Sequence, residues 1–108
     1  MTYGKHEAKE HAREHMRGIW AAAPTPFNAD SSLNEDGFRA NLRHWTRDLG
    51  IAGVFVAGKQ GEFFSMSVEE RKRSFEIAVE ECRGHARTIM SCSDQNFDTV
   101  VELAEHAQ

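Results

Sequence analysis

Along the chain, unbroken apolar runs of four or five residues alternate with stretches whose apolar positions recur every three or four. The first kind reads as buried strand, the second as helix with one face turned inward. Ile19 to Ala23 is a short apolar strand, ended by Pro24-Thr25-Pro26, which cannot continue a ladder. After a polar loop from Asn28 to Asn34, Phe38, Leu42, Trp45 and Leu49 fall on one face of a helix. Glu35 and Asp36 stand in its first turn, where negative charge is favoured, and Gly50 closes it.

The stretch Gly53 to Arg71 carries the densest set of signals. Val54, Phe55, Val56 and Ala57 form an apolar run that suits a parallel strand covered on both faces. Gly58 and Gly61 bound the turn Gly58-Lys59-Gln60-Gly61; with no side chain they permit backbone angles and close approaches that a tight turn needs. Ser67, with Glu70 three residues later, is a capping box that starts the next helix. That helix turns Val68, Phe75, Ala78, Val79 and Cys82 inward, with Glu69, Arg71, Lys72, Arg73 and Glu80 outward, and Gly84 ends it. Thr88 to Cys92 reads as a third strand. A last helix from about Asn96 presents Val100, Leu103, Ala104 and Ala107 on one face.

Residues 5 to 17 read as a helix without an apolar stripe. Lys5, Glu7, Lys9, Glu10, Arg13, Glu14 and Arg17 surround only small residues and Met16. Neighbouring charge pairs on such a helix contribute roughly 0.2–0.5 kcal/mol each, so residues 1–17 are expected to be a loosely docked polar extension.

From 18 to 108 the order is strand, helix, strand, helix, strand, helix. The strands begin near Ile19, Gly53 and Arg87, about 34 residues apart. That is the length of a βα unit, and consecutive units imply an α/β fold with a right-handed parallel sheet. A closed (β/α)8 barrel needs eight strands and ~250 residues, so the chain reads as about three units of an incomplete barrel. In such folds ligands sit at the turns beyond the strand ends, which makes 58–61 the first candidate site.

Composition narrows the classes. The 108 residues carry a formal net charge of -4, which argues against the basic surface that non-specific nucleic-acid binding requires. No apolar run approaches the ~20 residues of a membrane span, and the N-terminus lacks the apolar core of a secretory signal. Two cysteines, Cys82 and Cys92, make no disulfide framework and read as reduced thiols in the cytoplasm.

Taken together, TPF after the first strand, GKQGEFFSMSVEER after the second, and the ending VVELAEHA resemble the dihydrodipicolinate synthase / N-acetylneuraminate lyase family. The family pattern after the second strand is Gly-Thr-Thr-Gly-Glu, then Leu-(Ser/Thr)-x-x-Glu-(Arg/His). Gly58, Gly61, Glu62, Met66, Ser67, Glu70 and Arg71 fit it. The resemblance implies the N-terminal portion of a class I lyase or aldolase on a TIM barrel. A barrel lysine there forms a Schiff base with pyruvate or another 2-oxo acid, and the imine serves as electron sink without a metal or organic cofactor. It also implies a homo-oligomer when full length.

Two departures qualify that implication. The family's catalytic lysine and tyrosine lie on later strands, and the one tyrosine here, Tyr3, is in the extension. No catalytic residue is therefore expected within these 108 residues. The Thr-Thr pair that binds the substrate carboxylate is replaced by Lys59 and Gln60, a cation and an amide that both still suit a carboxylate. That change favours a branch other than 4-hydroxy-tetrahydrodipicolinate synthase proper. Apolar Phe63, Phe64 and Val68 stand where the lysine feedback site of some synthases would want polar contacts. The alternative from a different class is a truncated, non-catalytic barrel fragment.

Single residues carry competing readings, weighed by their surroundings. Lys59 as a Schiff-base nucleophile is set below Lys59 as a carboxylate contact. Glu62 as an acid/base group is set below Glu62 bracing the turn by accepting backbone N–H bonds. His11-Ala12-Arg13-Glu14-His15 matches the H-x-x-E-H zinc pattern, but no third ligand is evident and a solvated helix is preferred. Phe63 and Phe64 would cap the barrel mouth or reach a neighbouring subunit.

Overall fold

A computed structural model describes residues 3–108. Three strands, β1 (Trp20–Ala22), β2 (Gly53–Val56) and β3 (Arg87–Met90), form one parallel sheet in that order. Helices α2 (Glu35–Arg43) and α3 (Val68–Cys82) connect them, α4 (Phe97–Ala107) comes after β3, and α1 (Ala8–His15) precedes β1. The three helices of the βα units each start where a short polar side chain meets the first apolar positions. Asn34, Ser67 and Asn96 accept from the main chain of Gly37, Glu70 and Asp98 at 2.9, 3.1 and 2.9 Å. Only half of the expected capping box at Ser67 forms. The serine hydroxyl donates to Glu70 Oε1 at 3.3 Å, and Glu70 Oε2 is buried without a partner among the described residues.

Register decides what each face of the sheet carries. Ala21, Val54 and Thr88 share one row, with Val56 beside Met90 further on, and α2 and α3 cover this face. Phe38, Leu42, Val54, Val56, Ile77 and Ala78 are wholly buried there. The other face presents Trp20, Ala22, Phe55 and Ile89, all half-buried or exposed. The expectation of a strand covered on both faces is thus corrected, since the helices stand on one face only. Tyr3, His11 and Met16 share a cavity wall with Trp20 and Ile89 from this face and with Val79, Cys82 and Thr88 from the helical side. Helix α1 itself buries no residue, as its charge pattern requires.

The inward and outward faces of the helices are corrected in three places. Beyond Arg43 the helix widens into a π-turn, His44–Asp48, closed by the Leu49 amide on the His44 carbonyl at 3.1 Å. The wider turn shifts the inward stripe, so Thr46 is buried, donating to the Leu42 carbonyl at 2.8 Å, while Leu49 is 60% exposed. On α3 the outward placement of Arg71 fails: it is 2% exposed, on the stripe of Ser74 and Ala78. On α4, Leu103 is the buried residue and Ala104 is exposed.

The seam between α2 and α3 is ionic at its rim. Glu81 accepts from Arg39 at 2.9 Å and from Arg43 at 2.7 and 2.8 Å. Glu35 accepts a two-pronged contact from Arg73 at 2.9 and 3.0 Å. The Arg43 hydrogen bonds hold Glu81 below the ordinary carboxylate value, and the Arg73 contact does the same for Glu35. Cys82 and Cys92 are both free. Burial, and secondarily Glu81, pushes the Cys82 thiol up to about 11, which leaves it an inert core residue. No helix of the described residues is long and apolar enough to cross a membrane.

Candidate functional site

The C-terminal ends of the strands bring three segments together: Ala23–Thr25 after β1, Ala57–Glu62 after β2, and Ser91–Asp94 after β3. Parallel pairing continues one step past β1 and β3. The Ala23 amide bonds the Phe55 carbonyl at 3.0 Å and the Ser91 amide bonds the Val56 carbonyl at 2.9 Å. All three loops therefore leave the sheet at one level.

The turn after β2 is tight, and of the two roles expected of its glycines, special backbone angles and close approach, only the second falls to Gly58 and Gly61. The left-handed residues are Ala57 and Glu62, at φ 55° and 56°. Gly58 and Gly61 serve close approach. A Cβ on Gly58 would lie 2.5 Å from the Phe55 ring, and one on Gly61 would lie 3.0 Å from the Ala23 carbonyl oxygen. The main chain closes the turn, with the Glu62 amide on the Lys59 carbonyl at 3.0 Å and the Phe63 amide on the Gly58 carbonyl at 3.3 Å. Bracing by an acceptor carboxylate of Glu62 is replaced by these main-chain bonds, and Glu62 is exposed.

Lys59 and Gln60 are both exposed at the tip of this turn. One ammonium and one amide, carried on a closed main-chain loop at the ligand side of the sheet, suit an anionic or carboxylate-bearing ligand. Lys5 and Lys9 lie in the N-terminal segment, and Lys72 pairs with Glu102 on the helical side, so Lys59 is the lysine of this end of the sheet.

Thr25 and Arg71, neither of which the sequence marked as a site residue, hold this end of the sheet together. Thr25, buried at 7% exposure, donates to the Gly61 carbonyl at 2.7 Å and so fastens the loop after β1 to the turn after β2. Arg71 reaches the third segment, donating to Asp94 at 3.1 Å and to the carbonyls of Ser91 and Ser93 at 3.3 and 2.8 Å. Its guanidinium also lies over the Phe63 ring, 5.0 Å from the centroid. Helical arithmetic along α3 would have found Arg71, since it falls on the stripe of Ser74 and Ala78; its charge argued the other way. Nothing local marks Thr25, whose partner is 36 residues away.

Of the aromatic pair, Phe63 is half-buried against Arg71 and Phe64 is 67% exposed, in edge contact with it at 5.5 Å. Far from this end, His11 stacks on Tyr3 at 3.9 Å and tilts against His15 at 4.4 Å. Among the described residues no three His, Cys, Asp or Glu side chains converge as for a metal.

Parallel βα units with their connecting helices on one face of the sheet define a barrel-type α/β protein, the first three units of a TIM barrel. Residues 15–108 match the dihydrodipicolinate synthetase family, and the chain belongs to that family. It is 37% identical over 91 residues to an N-acetylneuraminate lyase of Fusobacterium nucleatum, covering 84% of this chain and 31% of that protein. With one from Clostridium perfringens it shares 39% over 90 residues, covering 83% and 31%. The crystal structure of the Mycoplasma synoviae N-acetylneuraminate lyase superposes with a TM-score of 0.83 at 26% identity, over 87% of this chain and 32% of that one. That of the Fusobacterium nucleatum lyase gives 0.81 at 36%, over 86% and 32%. The chain thus spans about a third of the length of the curated relatives it matches.

Proposed function

We propose that this chain is the N-terminal, carboxylate-binding part of a class I lyase or aldolase that acts on pyruvate or another 2-oxo acid through a lysine imine. The observation that carries the reading is the placement of Lys59 and Gln60 at the exposed tip of the turn after β2, above a main chain closed by Gly58 and Gly61. Lys59 supplies charge attraction and Gln60 an N–H donor to the two oxygens of a carboxylate. The relatives support the lyase reading over dihydrodipicolinate synthesis, because those it resembles at 34–39% identity are named N-acetylneuraminate lyase.

Lys59 is not the imine-forming lysine in this reading. Such a lysine is activated by desolvation or by a neighbouring cation, and Lys59 is exposed to water. The chemistry then belongs to residues outside this sequence, and these 108 residues orient one end of the substrate. No metal or organic cofactor enters the step, since the imine itself takes up the electron pair.

The test pairs a mass measurement with a binding measurement. After incubation with pyruvate and borohydride, the intact chain is expected to keep its mass, and an adduct mapped to Lys59 would make it the nucleophile instead. Titration with pyruvate is expected to shift the amide signals of 58–62 saturably, and Lys59→Met to weaken binding about tenfold, the loss of one charge-assisted contact. Wild-type signals that stay still throughout would refute carboxylate binding at this turn and favour a non-catalytic fragment.

A further inference from the structure

We propose that Arg71 is a positioning residue that couples the turn after β2 to the segment after β3, so that the two loops at the ligand end of the sheet order as one unit. Four observations meet on this side chain. It is 2% exposed in the first turns of α3, where the charged residues around it, Glu69, Glu70, Lys72 and Arg73, are exposed or half-buried. Its Nη1 donates to Asp94 Oδ2, and its Nη2 to the carbonyls of Ser91 and Ser93. Its plane covers the ring of Phe63, the residue on which the β2 turn closes. Its Nε is buried without a partner among the described residues, so the burial is tolerated for the contacts at the other end of the guanidinium.

The geometry makes this more than a core contact. Arg71 stands on a rigid helix start, held by Ser67, and spans the gap between two loops beyond the paired rows of β2 and β3. A guanidinium presents its donors in a fixed planar fork, so accepting from it fixes the direction as well as the distance of each carbonyl. Removing Asp94 takes the carboxylate from a guanidinium that is 2% exposed, and removing Arg71 frees the carbonyls of Ser91 and Ser93 together with the more exposed Asp94, so in either case the loop after β3 loses the contact that orders it. Through Phe63 that movement reaches Gly58–Glu62, the turn that carries Lys59 and Gln60. The functional arm of the inference rests on the carboxylate-binding reading; the coupling itself does not.

The experiment is residue-resolved amide exchange on the full 108-residue chain and on Arg71→Lys, Arg71→Met and Asp94→Asn. Asp94→Asn is expected to speed exchange roughly tenfold at the amides of 91–94 and also at those of 58–63, which Asp94 does not touch, with α2 unchanged. Arg71→Lys keeps the charge but not the fork, and is expected to rescue neither loop fully. Acceleration confined to 91–94 in Asp94→Asn, or spread evenly over α2 and the sheet, would overturn the coupling. Should Arg71→Met fail to fold, the two milder variants still decide the question. Pyruvate titration of the same variants separates the two readings. If wild type binds, Asp94→Asn is expected to weaken binding severalfold without altering the pyruvate specificity of the turn. If wild type does not bind while exchange remains coupled, the carboxylate reading fails and the positioning role of Arg71 stands.

Discussion

Ala57 and Glu62, with φ of 55° and 56°, occupy a conformation that costs an L residue about 1–2 kcal/mol, while the glycines between them sit at ordinary angles. The turn therefore spends its glycines on packing and places its strain on residues with side chains. Because Glu62 is exposed, Glu62→Gly removes that strain and loses no burial. It is expected to raise stability in urea by about 0.5–1 kcal/mol, after the larger chain entropy of glycine is deducted. A loss instead would mean that the Glu62 carboxylate holds the turn after all. Gly61→Ala acts oppositely. Its Cβ would meet the Ala23 carbonyl at 3.0 Å and Ala57 Cα at 3.2 Å, both main chain, so the variant is expected to lose about 1–3 kcal/mol.

At the scale of elements, the α2–α3 pair is held by an apolar centre and an acid-sensitive rim. Glu81 is buried and Glu35 half-buried, both titrate below their ordinary value of 4.5, and both are paired to arginines. A carboxylate whose folded value is depressed contributes stability above its unfolded value and loses it as pH falls through the folded one. Wild-type urea midpoints are therefore expected to hold above about pH 5 and fall as the solution is acidified below 4.5. Glu81→Gln is expected to be less stable by about 2 kcal/mol at neutral pH, with a flatter acid limb, so that the two curves approach each other in acid. Parallel curves would show that the Arg39 and Arg43 contacts contribute nothing specific to the charged form.

Over the whole molecule, the sheet is covered by helices on one face and carries Trp20, Ala22, Phe55 and Ile89 on the other. In a closed barrel that face points to the interior. Here it is a partly covered apolar surface next to the outer strand β3, with Tyr3, His11 and Met16 lining a cavity beside Trp20 and Ile89, and an incompletely covered apolar face promotes association. The chain is expected to sediment as a concentration-dependent mixture. Ile89→Lys, which puts a charge on that face beside the edge, is expected to weaken association about tenfold, the worth of one aliphatic side chain. Sedimentation that Ile89→Lys leaves unchanged would move the contact elsewhere.

The sequence by itself determined whatever depends on neighbours along the chain. Apolar runs at Trp20, Val54 and Ile89 set three strands, and the alternation of periods set the helices between them. Short polar side chains at Asn34, Ser67 and Asn96 set where helices begin, because a cap bonds an amide two or three residues on. The motif around Gly58–Arg71 placed the candidate turn and Lys59-Gln60 beyond the C-terminal end of β2. Tertiary structure alone decided the rest. Arg71 is buried because Ser91, Ser93 and Asp94, some twenty residues away, supply acceptors that no local pattern contains. Leu49 faces water because a widened turn gave its place to Thr46, and Gly61 is needed because the Ala23 carbonyl and the Ala57 main chain press against it. Local propensity fixes where the backbone repeats. Which charges stay dry, and which glycines cannot be replaced, is fixed by the partners that packing brings within reach.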